Sequence, residues 1–117
     1  MNEQDEDQQV RVARDLRADL RQRLETYQAE NTFGERMGQD IASAQDLKRT
    51  MSELRRKVRE QDNRVLRIEA KWLRAVVAHS PVAGSRLELL AADGLLGKLG
   101  TDFKPTEYGN AVMKKFT

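Results

Sequence analysis

Cysteine is absent from this chain, which excludes disulfides and thiolate metal sites and fits a reducing compartment. There is one histidine, so no second imidazole can complete a metal site, and no cysteine–histidine pair can form. His79 stands beside Ser80 and Pro81, where a helix is expected to stop, and is read as a residue that serves the helix end. Prolines are scarce too. Pro81 and Pro105 both lie in the last third, so nothing upstream forbids long helices. No apolar run approaches the ~20 residues that span a bilayer, and the acidic opening MNEQDEDQQ is unlike a secretory signal. The glycines of DGLLGKLG lack the spacing and the lysine–hydroxyl pair of a phosphate loop. These absences lead to the expectation of a cytoplasmic, non-enzymatic protein without cofactor, metal or membrane partner.

What the chain has in excess is charge. Charged residues make up 34% of its 117 positions and the mean hydropathy is −0.76, against roughly 25% charged in an ordinary domain. A chain this polar buries little surface alone, so a partner copy is expected. The net charge of +2 hides segregation: residues 1–8 carry −4, whereas residues 55–75 carry +5. Arginine outnumbers lysine by 14 to 7, and guanidinium forks suit phosphate or carboxylate partners.

The pattern along the chain is helical. Residues 1–8 show no apolar periodicity and read as a disordered acidic tail. Val10, Ala13, Leu16, Leu20, Leu24 and Tyr27 then recur every three or four residues, one stripe of an amphipathic helix. The run ENTFGE predicts the break, with Asn31 ending one helix and Thr32 capping the next. The second helix is expected from Glu35 to about Ala78, roughly 65 Å long. Residues 9–78 thus form a helical hairpin or coiled coil, and residues 79–117 a small C-terminal domain. Leu66, Leu73, Val76 and Val77 lie off the main stripe and require that domain to cover them.

The main stripe of the second helix has heptad phase. Leu47, Met51, Leu54, Val58, Gln61, Val65, Ile68 and Trp72 alternate in steps of four and three, the signature of a coiled-coil seam. A parallel dimer would pair Lys57 with Asp62 and Arg64 with Glu69, both opposite in sign. The expectation is a homodimer along this seam, although residues 35–57 can equally pack on the first helix of the same chain.

After Pro81, the segment from Ser85 predicts a short helix with Ser85 as N-cap and Gly94 as C-cap, then two extended pieces around Gly100–Thr101–Asp102. Thr106 is expected to cap a final helix with Val112, Met113 and Phe116 inward and Lys114 and Lys115 at its end. This order, with its DGLL and FKPTEYG runs, resembles the recognition-helix and wing half of winged-helix transcription regulators. The resemblance implies that Ser85 and Arg86 face a DNA groove, that Lys98, Thr101 and Lys104 flank the wing, and that Thr106 and Gly109 are structural. It departs from a full winged helix in that only SPVAG separates His79 from Ser85, where the family has another helix.

A phosphate-tracking stripe completes the reading. Arg56, Arg59, Asn63, Arg67, Lys71 and Arg74 recur on one helix face. Together with Arg86, Lys98 and Lys104 they make the expected DNA- or RNA-binding surface, onto which the acidic tail can fold as a polyanion mimic. The fold expectation is mostly α, a long hairpin or coiled coil with a small winged-helix-like cap. The functional expectation is a dimeric nucleic-acid-binding regulatory or accessory protein of the small kind found in phages and plasmids. The alternative is a non-enzymatic assembly, adaptor or inhibitor protein that binds another protein.

Overall fold

The computed structural model describes residues 3–117, with side chains from Asp5 onward. Two long helices, α1 (Glu3–Arg36) and α2 (Ile41–Val77), precede α3 (Gly84–Ala92), β1 (Leu96–Leu99), β2 (Asp102–Pro105) and α4 (Glu107–Lys115). The chain is mostly α, with a helical hairpin followed by a small two-stranded sheet and its helices. It divides into two compact units. One is Arg11–Asn63; the other joins the residues up to Val10 with Arg64–Thr117.

In the unit Arg11–Asn63 the two long helices run antiparallel. Leu20 packs with Leu54 and Val58, and Leu24 and Tyr27 close over them. Arg17 reaches across to Asp62 at 2.8 Å, and Arg21 joins the same carboxylate at 3.2 Å. The reversal falls at residues 37–40, not at Asn31. Asn31 and Thr32 sit inside a continuing helix, bonding the Glu35 side chain and the Gln28 carbonyl one turn away. Neither residue stops a helix unless the backbone turns. The turn is made by Gly38 at φ +77, where the Gln39 N–H returns to the Gly34 carbonyl at 2.7 Å. Asp40 then caps α2 by accepting the Ser43 N–H at 2.9 Å, so α2 begins at Ile41 rather than Glu35.

The heptad stripe is buried within one chain. Met51, Leu54, Val58 and Gln61, expected to meet a second copy, are buried in the unit Arg11–Asn63, and Leu47 is half-buried. Val65 and Trp72 are buried in the other unit, with Ile68 half-buried. Asp62, assigned to Lys57 of a parallel partner, is held by Arg17 and Arg21 of the same chain. An antiparallel helix of the same chain fills a heptad stripe as well as a second copy does, and α1 is already tethered beside it.

The second unit centres on Leu73, Leu90 and Leu95, all fully buried; each such leucine contributes roughly 1.5–3 kcal/mol of transfer free energy. Leu73 and α4 meet where the helix carries no side chain, because a Cβ on Gly109 would collide with the Leu95 carbonyl and press on Leu73. Thr106 locks this approach. Its hydroxyl donates to the Gly94 carbonyl at 2.6 Å and accepts the Gly109 N–H at 3.0 Å. Gly94 ends α3 at φ +78, with Leu95 N–H returning to Leu90 at 2.9 Å. The N-cap of α3 is Ala83 with no side-chain bond, so Ser85 lies within the helix and does not cap it. The strands pair antiparallel around Gly100 and Thr101, with Leu96 opposite Pro105 and Leu99 opposite Asp102.

The acidic segment is also corrected. From Glu3 it belongs to α1 and is not a loose tail; residues 1 and 2 lie outside the described part. Glu6 and Val10 are buried against their unit, and that burial orders a segment whose composition alone reads as solvated.

Candidate functional site

The unit formed by the residues up to Val10 and 64–117 brings most of the expected phosphate-binding cations together, but it engages several of them internally. Glu6 accepts from Lys71 at 3.0 Å, and Asp7 accepts from Arg86 Nε at 2.8 Å. The Arg86 side chain is only 10% exposed, and its guanidinium lies 4.5 Å from the centre of the Trp72 ring. A groove-facing arginine needs solvent on its fork; this one is part of the core. The expectation drawn for Arg86 from the winged-helix resemblance is therefore corrected, while Ser85 on the same helix is exposed.

Arg74 is likewise turned inward, donating to the carbonyls of Met113 and Phe116 at the C-terminal end of α4. Those carbonyls have no intrahelical partner, and a cation there also answers the helix dipole. Arg67 lies 5.9 Å from the Phe116 ring and Lys98 5.9 Å from the Phe103 ring. Lys98 and Lys104 are exposed on the hairpin. In the unit Arg11–Asn63, Arg56 pairs with Glu60 at 2.5 Å and Arg59 is exposed. Of the eight cations, Arg74 and Arg86 are thus committed to long-range contacts that build the fold, and Lys71, 67% exposed, is paired with Glu6 at the surface. Spacing showed that Lys71 and Arg74 share a helix face; it could not show which carboxylates and carbonyls would reach them.

The same unit holds a cleft of about 590 Å³ between the end of α2, the loop after it, and β2. Val76, Val77, Val82, Leu87, Phe103 and Pro105 supply its apolar lining, and His79, Ser80, Thr101, Asp102 and Lys104 its polar lining. Among the described residues no hydrogen bond joins His79, Ser80 and Asp102 into a relay, the geometry that would activate a nucleophile. His79 has a backbone task instead. At φ +59 it ends α2, with its own N–H on Val76 and the Ser80 N–H on Ala75. The sequence singles out Val76, Val77, His79, Thr101 and Lys104 in separate roles, and only the fold brings them together at this cleft.

Exposed apolar side chains also gather where the unit Arg11–Asn63 reverses direction. Phe33, Met37 and Ile41 are 65%, 70% and 77% exposed. A polar reversal would leave no such side chains in water. With the break expected at Asn31 and the second helix from Glu35, Met37 and Ile41 fall inside that helix and away from the turn.

No family model, curated protein or solved structure matches the chain. Among the described residues, no helix is long and apolar enough to cross a membrane.

Proposed function

We propose that this is a non-enzymatic assembly or adaptor protein that acts by binding another protein. The observation that carries the reading is the internal neutralisation of the cationic surface. Lys71 and Arg86 are held by Glu6 and Asp7, and Arg74 by the carbonyls of α4. A protein that neutralises phosphates must offer unpaired cations in a line, and here Arg74 and Arg86 are spent on the fold while Lys71 is paired with Glu6 at the surface. The exposed Phe33, Met37 and Ile41 support the same reading, since clustered apolar side chains in water mark protein-interaction surfaces.

Nucleic-acid binding is the second reading, favoured by the exposure of Arg59, Lys98 and Lys104. Gel-shift titration at low salt separates the two. The wild-type chain is expected to leave a duplex and a single strand unshifted. A shift by the wild type, with affinity falling steeply as salt rises, would return the function to nucleic acid. Affinity capture from the native host gives the positive arm: one protein retained by the wild type and lost with Met37→Glu.

A further inference from the structure

β2 carries an unused edge. The sheet has two strands, so β2 pairs with β1 on one side only. Which backbone groups point to the open side follows from the ladder. Thr106 N–H donates to the Leu95 carbonyl at 3.0 Å, one rung beyond the pair of Leu96 with Pro105. Hydrogen-bonded and non-bonded pairs alternate in an antiparallel ladder. The Leu96–Pro105 and Lys98–Phe103 rungs are therefore the non-bonded ones, and the backbone groups of Pro105 and Phe103 face away from β1. Pro105 agrees with this phase, since its missing N–H falls where β1 asks for none. The open edge thus presents the N–H and C=O of Phe103, beside a cleft lined by residues 101–105.

The side chains along this edge read Asp102–Phe103–Lys104, and that triplet is complementary to itself in reverse. A second copy laid antiparallel and centred on Phe103 exchanges both backbone bonds between the two Phe103 residues. Asp102 of each copy then stands opposite Lys104 of the other, in non-bonded rungs where side chains come closest. Both charged side chains are exposed. Pro105 limits the ladder to one further carbonyl, and because both copies use the same edge about a two-fold axis the pairing closes on itself.

We propose that the β2 edge is a homotypic docking surface, joining two copies of this chain into a continuous four-stranded sheet centred on Phe103. Partly exposed Phe103 and half-exposed Val77, both in the cleft wall, would be covered by the arrangement. The surface is distinct from the heptad stripe, which is buried within each chain. It is also independent of the protein-binding reading above, because a second copy and a foreign partner are separated by the same experiment.

Sedimentation equilibrium of the purified full chain, at submillimolar concentration and low salt, tests it. The wild type is expected to dimerise. Asp102→Lys places lysine opposite lysine twice by symmetry, and Lys104→Asp places aspartate opposite aspartate twice. Each is expected to weaken the dimer about tenfold. Mixing the two single variants restores attraction at both contacts, so the mixture is expected to dimerise as tightly as the wild type. The double variant Asp102→Lys/Lys104→Asp should do so alone. Circular dichroism melts confirm that each variant folds. A wild type that stays monomeric overturns the proposal, and so does a dimer indifferent to both single changes, which would lie on another surface. Loss of host-protein capture with Met37→Glu while the dimer persists would leave both readings standing separately.

Discussion

His79 holds φ +59 at the end of α2, a conformation that costs an L side chain about 1–2 kcal/mol. The two other helix ends with this geometry, at Gly38 and Gly94, use glycine. Replacing His79 by glycine removes the strain but adds freedom to the unfolded chain. The net expectation is a gain of about 0.5–1 kcal/mol, read as a higher melting temperature. Gly109 works in the opposite sense. Its negative φ is open to any residue, but a Cβ would meet the Leu95 carbonyl and Leu73. Gly109→Ala is expected to destabilise by about 1–3 kcal/mol, the usual cost of overpacking, in a urea titration followed by Trp72 fluorescence. Both residues were singled out in the sequence, His79 as a helix-end residue and Gly109 as structural. What the sequence lacked was the neighbour that makes Gly109 obligatory, because Leu95 lies fourteen residues away.

At the scale of elements, the N-terminus of α2 rests on Asp40. Its carboxyl is held below the usual carboxylate range by the Ser43 backbone N–H first and the Ser43 hydroxyl second. A depressed folded pKa gives stability that is present above the unfolded value and lost as pH falls through the folded one. The melting temperature of the wild type relative to Asp40→Asn, which caps without titrating, is therefore expected to fall as pH drops from neutral to below ~4. The elements themselves were largely legible. Helical periodicity marked α1 and α2, Gly94 and Thr106 marked the borders of α3 and α4, and Gly100 marked the hairpin turn. The misplaced reversal has a specific cause. ENTFGE and MGQD both contain helix-ending residues, and only the backbone at Gly38 and the cap at Asp40 decide between them.

For the molecule as a whole, the first turns of α1 belong to the same compact unit as residues 64–117. Deleting residues 1–8 removes Glu6 and Asp7, the carboxylates on Lys71 and Arg86. A mostly buried arginine that loses a charged hydrogen-bond partner costs about 1–3 kcal/mol. The deletion is therefore expected to lower the denaturation midpoint and shift the emission of Trp72, the single tryptophan, to longer wavelength as its surroundings open to water. If acid and base merely met on a solvated surface, neither quantity would move, because exposed pairs contribute little.

By itself the sequence determined what local interactions determine: the helical class, the caps, the apolar stripes, and the need for something to cover Leu73. Those follow from periodicity and backbone chemistry within a few residues. Only the tertiary structure decided what covers each stripe and which charges remain in water. Met51, Leu54 and Val58 carry a heptad pattern that a second copy or a tethered antiparallel helix satisfies equally, and the chain uses its own α1. Lys71 and Arg86 look like phosphate ligands until Glu6 and Asp7, sixty-five and seventy-nine residues away, are brought onto them. Burial and ion pairing depend on distances in space, and residue spacing along the chain does not fix those distances.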